Sequence, residues 1–194
     1  MGPTTGTIYR AACLVLAAAV LAGCSGAPRT AQERTVEDHE RGYRFVLPPG
    51  WKMFGYEARS SSGSLLSIDV HSLVGADSKF VAALPQSVVP QLEAWTLYYF
   101  NIVGEPVTGK STLGGAPAFE IAYPVRIRAV DPPSKVEYWV VRSGVLLYLL
   151  RATYPAAQAD LDARAVRDLL ASWTFIEATA PGAKPIGATP PPRS

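Results

Sequence analysis

Two stretches of the chain carry residue types at spacings that chemistry uses. The first, GEPVTGKST from Gly104 to Thr112, matches the phosphate-binding loop G-x-x-x-x-G-K-[ST]. In a working loop of that kind, backbone amides and a helix N-terminus cradle the phosphates, and the lysine reaches the outer ones. The context here is wrong for it. The motif follows a helical pattern and runs into Leu113-Gly114-Gly115-Ala116-Pro117, where no helix can usefully start, and no hydrophobic run ending in Asp follows to hold magnesium. The stretch therefore predicts a turn at Gly104, a strand and a glycine bend, and no bound nucleotide.

The second stretch is Ser67-Ile68-Asp69-Val70-His71, which offers a nucleophile, an acid and a base on one face of a strand. Alternate strand residues stand about 6.6 Å apart. Triad members need hydrogen bonds of about 3 Å with the imidazole between the other two. The chain also lacks a G-x-S-x-G elbow. A solvated strand face is expected here, with no catalytic residue. Metal ligation is equally poorly supplied. The only histidines are His39 and His71, and the acidic run Glu37-Asp38-His39-Glu40 reads as a solvated linker. No metal and no cofactor are expected.

One aromatic set remains. Trp95 and Tyr99 fit the core-facing stripe of a helix, whereas Tyr98 and Phe100 point elsewhere and are candidates for a groove or a partner contact. Arg126 and Arg128 share a strand face with Glu120. They are read as solvated ion pairs or as the rim of an anionic partner's site. Tyr98, Phe100, Arg126 and Arg128 thus form the candidate binding surface.

The elements that would position these residues are mostly strands. Tyr43 to Leu47 alternates, Pro48-Pro49-Gly50 turns the chain, and another extended segment begins at Trp51. Ser60 to Ser64 reads as a loop. Beyond it, Leu66, Ile68 and Val70 share one strand face. Ser87 is placed to cap a helix running to about Asn101, with Pro90 tolerable in its first turn and Val88, Leu92, Trp95 and Tyr99 as its docking stripe. Phe119 to Ile127 alternates as a long half-buried strand. Val136 to Arg142 and Val145 to Tyr154 form a hairpin, and Leu146 to Leu150, apolar on both faces, belongs in the middle of a covered sheet. A closing helix from Asp160 to Trp173 would dock through Leu161, Ala165 and Leu169.

Composition sets the outer limits. Eighteen basic residues face 16 acidic ones for a formal net charge of +2, which gives no electrostatic case for nucleic acid. The start of the chain has one early cation, Arg10, and then a small and aliphatic run from Ala11 to Ala22. That run is shorter than the roughly 20 residues of a membrane span, so it reads as an export signal. Leu21-Ala22-Gly23-Cys24 resembles the lipobox of bacterial lipoproteins. The resemblance implies cleavage before Cys24, whose thiol would carry a diacylglyceryl group and whose amine would be acylated, anchoring the chain on the extracytoplasmic side of an outer membrane or cell membrane. Several acyl chains make such an anchor durable. Cys13, the other cysteine, lies in the segment removed, which leaves the exported domain without a disulfide.

The expected organisation is a signal peptide at 1–23, a flexible tether at 24–41, one globular domain at 42–177 and a disordered proline-rich tail at 178–194. Three features of that domain resemble the PsbP-like superfamily: Tyr43-Arg44-Phe45-Val46-Leu47-Pro48-Pro49-Gly50-Trp51, the hairpin from Val136 to Tyr154 running into Pro155 and a closing helix, and the terminal Ser172-Trp173-Thr174-Phe175. The resemblance implies an α+β fold, an antiparallel sheet sandwiched by helices, and it implies no catalytic residue. It also implies a binding or assembly role for another envelope protein. A carrier of lipid or another apolar ligand, using a pocket near Tyr98 and Phe100, is the alternative, and a hydrolase around Asp69 and His71 comes third.

Overall fold

The structure, a computed structural model, describes residues 34–76, 81–82, 84, 86–178 and 184–185, all within one compact unit, Glu33–Ser194. The expected signal, the expected lipobox residues Leu21, Ala22 and Gly23, and Cys24 lie outside the described residues. In chain order the strands are β1 (Arg34–Asp38), β2 (Tyr43–Leu47), β3 (Lys52–Phe54), β4 (Glu57–Arg59) and β5 (Leu65–Ser72). Then come helix α1 (Val89–Tyr99), β6 (Asn101–Ile102), β7 (Val107–Leu113), β8 (Ala116–Arg126), β9 (Ser134–Ser143), β10 (Leu146–Thr153), helix α2 (Ala159–Ala171), β11 (Thr174–Phe175) and β12 (Lys184–Pro185).

Nine strands make the main sheet, in the order β3-β4-β5-β10-β9-β8-β6, with β7 beside β8 and β12 beside β5. All its pairings are antiparallel except β12 with β5. Short connections explain the pattern. Gly114 and Gly115 both take positive φ, the two-residue type I′ turn that joins β7 to β8, and Gly144 opens the turn between β9 and β10. The hairpin centre is apolar on both faces as expected, because both faces are covered.

On one face Leu66, Ile68, Val70, Trp139, Val141, Tyr148 and Leu150 pack under α2 and a small three-stranded sheet, β1-β2-β11. On the other, Ile121, Tyr123, Val125, Tyr138, Val140, Leu147 and Leu149 pack under α1 and the segment before it. The architecture is the α+β antiparallel sheet with helices on its two faces that the sequence predicts.

Several details differ. β1 lies inside the segment expected to be a flexible tether, and it pairs with β2 along its whole length, Arg34 opposite Leu47 and Asp38 opposite Tyr43. It is an exposed edge strand whose one core contact is Val36, so charge dominates its composition. β12 likewise falls in the expected disordered tail.

Helix α1 starts after a 3-10 turn at Gln86–Val88, and its N-cap is Val88 with no side-chain cap, in place of Ser87. Pro90 in the first turn removes one of the amides a cap would satisfy. Its buried row is Val88, Leu92 and Thr96, while Tyr99 is 55% exposed. Thr96 can be buried because its hydroxyl bonds the Leu92 carbonyl at 2.7 Å and the Tyr138 hydroxyl at 2.9 Å.

In α2 Leu169 is buried and Ala165 half-buried as expected, while Leu161 is exposed and Ala163, Val166 and Leu170 complete the buried row. Asp162 accepts hydrogen bonds from Ser64 at 2.5 Å, from Ser60 at 3.4 Å and from Ser62, so the serine loop holds that residue on the inner face.

Candidate functional site

The phosphate-loop look-alike is an edge strand. Lys110 lies in β7 opposite Phe119, and the run ends in the Gly114-Gly115 turn, so the backbone amides of this stretch belong to a hairpin and not to a phosphate cradle. Ser67, Asp69 and His71 stand on the α1 face of β5 and pair with Arg151, Leu149 and Leu147. Ser67 is buried, and its hydroxyl accepts from Arg151 Nη2 at 3.3 Å. This strand face is thus partly covered where solvent was expected.

Arg151 anchors a polar strip at this end of the face. It pairs with Tyr138 across to β9, and its guanidinium lies 5.7 Å from the centre of the Tyr99 ring. Burial raises the Tyr138 phenol above its ordinary range, while Thr96 and Arg151 pull the other way. A hollow of about 380 Å³ opens here between the turn at Phe54 to Glu57 and Ser67, Asp69 and Arg151. Among the described residues no His, Cys, Asp and Glu side chains converge as a metal site.

The four residues expected to form a binding surface are not brought together. Phe100 packs partly into the α1-side core and lines a hollow of only about 80 Å³ with Val125, Ile127, Tyr154 and others. Tyr98 is half-buried with its ring edge-on to Tyr99 at 4.8 Å. Arg126 ends β8 and donates to the Ala129 carbonyl, and Arg128 lies past the strand in a turn closed by Asp131. Arg126 keeps the strand face it was expected to share with Glu120, whereas Arg128 does not, because the strand stops at Arg126.

A larger space lies elsewhere on the same face. A cavity of about 510 Å³ is floored by Pro117 and Phe119 of β8, Val140 of β9 and Leu147 of β10. Val81, Ala82 and Leu84 cover it, and Lys110 and Arg142 border it. The sequence offered no local signal for it, since its lining comes from segments far apart in the chain.

The opposite face is closed by aromatic packing. Trp173 stacks on Tyr43 at 4.7 Å and on Phe45 at 5.3 Å, and meets Phe175 and Tyr148 edge-on. The Ser172 hydroxyl accepts from the Val46 amide at 2.8 Å and donates to the Leu169 carbonyl at 2.7 Å, which ties α2 to β2. Tyr148 donates to the Arg41 carbonyl at 2.8 Å. Glu137, 4% exposed, accepts from Tyr154 at 2.7 Å and from Lys135 at 2.8 Å. Burial raises the phenol of Tyr148 to about 12, and raises those of Tyr43 and Tyr154 further, the last also because Glu137 sits beside it. These groups are structural.

No protein-family model matches the chain, and no curated protein matches it. Solved structures do. The solution structure of the cyanobacterial PsbP protein CyanoP from Synechocystis sp. PCC 6803 superposes with a TM-score of 0.53 at 13% identity, covering 79% of this chain and 98% of that one. The crystal structure of LpqN from Mycobacterium tuberculosis, described as involved in cell envelope biogenesis, superposes with a TM-score of 0.52 at 13% identity. It covers 75% of this chain and 91% of that one. At these identities the likeness is one of fold: the chain is a single α+β domain with the PsbP-like fold.

Proposed function

We propose that the protein is a bacterial envelope lipoprotein that acts as a non-catalytic binding or assembly factor for another envelope protein. Residues 1–23 are its export signal, Cys24 carries the lipid, and the chain up to β1 is the tether that lifts the domain off the membrane. The observation that carries this reading is the joining, in one chain, of Leu21-Ala22-Gly23-Cys24 after an apolar run to a fold shared with a protein described as serving cell envelope biogenesis. Cys24 is the lipid attachment site, and it is the one cysteine that cleavage leaves in the mature chain. Among the described residues no helix is long and apolar enough to cross a membrane, so the anchor is assigned to the lipid.

The binding face is the one under α1. It holds the large cavity and the polar strip around Arg151, whereas the face under α2 is filled by aromatic packing. The test is chemical crosslinking in living cells followed by mass spectrometry, comparing the wild type with Cys24→Ala. Reproducible recovery of one envelope protein, lost together with membrane attachment in the variant, supports the reading. A Cys24→Ala protein that stays in the membrane fraction, or a wild type that takes up no labelled lipid, contradicts the anchor.

A further inference from the structure

The cavity on the α1 side has a composition that selects a class of ligand. Its volume, about 510 Å³, falls within the roughly 300–1,000 Å³ of small-molecule clefts. Its floor is one rung and part of the next on the same sheet face. Phe119 stands opposite both Lys110 and Val140, and Leu147 stands opposite Arg142. Side chains directly opposite in an antiparallel pair share a face, so both cations rise from the floor's own face. Lys110 belongs to the outer strand, and Arg142 lies one residue before the end of β9.

The charges are one-sided. No carboxylate is among the described lining residues, and neither Lys110 nor Arg142 forms an ion pair with a described residue. Arg142 spends one donor on the Gly144 carbonyl at 3.1 Å, which fixes its base and leaves its remaining donors for other acceptors. Among the other described cations, Arg41, Arg44, Arg59, Arg128 and Lys135 each face a carboxylate within ion-pair distance, while Arg126 and Arg151 do not but bond other oxygens. Two cations left without a described acidic partner, rising from the same apolar floor, are the complement of a molecule with a hydrocarbon body and a negative end.

We infer that this cavity binds a single-chain amphiphile with an anionic head group, the chain lying over Phe119, Val140 and Leu147 beneath Val81 and Leu84, and the head group held by Lys110 and Arg142. An uncharged apolar ligand would leave the two cations unused, and a small free anion would leave the apolar floor unused. The inference stands on the cavity alone and holds whether or not the domain also docks a protein. The step requires no bond making or breaking, only transfer of the chain from a membrane or micelle into the cavity.

The test uses the full chain carrying Cys24→Ser, so that no lipid of its own is attached, with a fluorescent long-chain fatty acid as probe. Its methyl ester and inorganic phosphate are the controls. The acid is expected to bind more tightly than the ester, and Lys110→Gln with Arg142→Gln is expected to weaken the acid by about tenfold while leaving the ester unchanged. Both positions are exposed, so the fold is retained. Ala82→Asp, a second exposed position on the cavity's cover, is expected to abolish binding of the acid while the circular dichroism spectrum stays that of the wild type. No fluorescence change with the acid overturns the site. Equal affinity for acid and ester, or equal weakening of both in the double variant, overturns the anionic head group. Displacement by inorganic phosphate as effective as by unlabelled acid overturns the amphiphile in favour of a free-anion site.

Discussion

Trp173 on the α2 side of the main sheet touches aromatic rings on β2, β10 and β11, and the backbone around it is tied down by the Ser172 hydroxyl. At the corresponding depth on the α1 side, Phe119 and Leu147 border open space of about 510 Å³. One sheet therefore carries a sealed face and an open one. Interiors pack to near-crystalline density when stability is the only demand, and space of this size is the observation on which the proposed binding at the α1 face rests. Even the turns follow the division. A side chain at Gly114 would place its Cβ 2.8 Å from the Phe175 ring, so the β7–β8 turn can close against the sealed face only with glycine there, and positive φ makes that glycine doubly required.

The largest expected effect is on the sealed face. Trp173→Ala should cost about 3–5 kcal/mol, measured as a shift of the urea midpoint, because the ring contacts cannot be remade by collapse. Phe119→Ala, on the open face, should cost much less, since its ring is half-exposed and already borders a void. Equal losses would remove the distinction between the faces.

Alkaline pH should act next, on three phenols of the sealed face and also on Tyr123 and Tyr138 of the α1 side, which burial raises as well. The phenols of Tyr43, Tyr148 and Tyr154 are all raised by burial, Tyr148 to about 12, so the folded chain holds protons that the unfolded chain releases from about pH 10. Their contribution is complete below pH 10 and is lost as pH rises through the folded values, about 12 for Tyr148 and higher for Tyr43 and Tyr154. Melting temperature followed between pH 8 and 11.5 should be level at first and then fall, and Tyr148→Phe should shallow the fall.

Smaller effects separate the individual ties. Tyr154→Phe leaves a buried oxygen of Glu137 without its donor, at a cost of about 1–3 kcal/mol by chemical denaturation. Asp162→Ala should cost about 1–2 kcal/mol and speed hydrogen exchange in the loop from Ser60 to Ser64, whose three hydroxyls it holds. Lys110→Gln, on the open face, should leave stability within about 0.5 kcal/mol of the wild type.

The same division explains what could be read from the chain alone. Two of the three features that suggested the fold lie on the sealed face or at its border, Tyr43, Phe45, Leu47 and Trp51 at the start and Ser172, Trp173 and Phe175 at the end, while the hairpin from Val136 to Tyr154 feeds both faces. Their types are dictated by packing against one another, and such requirements leave strong local patterns. The strands were legible for the same reason, because alternation in β5 and the double-sided apolar run in β10 follow directly from burial.

The open face left weaker traces. Helix α1 carries apolar residues around most of its circumference, Leu97 and Tyr99 exposed and Thr96 buried, so its docking row could not be chosen by spacing. The cavity is assembled from Val81, Ala82, Leu84, Lys110, Phe119 and its neighbours, Val140, Arg142 and Leu147, which no local motif spans. Lys110 drew notice only as the lysine of a phosphate loop, and β7 shows why that role fails while its charge still counts. β1 was missed because an edge strand guarded by charge resembles a linker.

The division of labour between the faces can be tested in the cell. A photo-crosslinking amino acid placed at Ala82, beside the open face, is compared with one at Arg164, exposed on the outer side of α2. Both proteins keep Cys24. Capture of an envelope component from position 82 and none from position 164 is the expected result. Capture from position 164 alone would contradict the assignment of the α1 side as the working face.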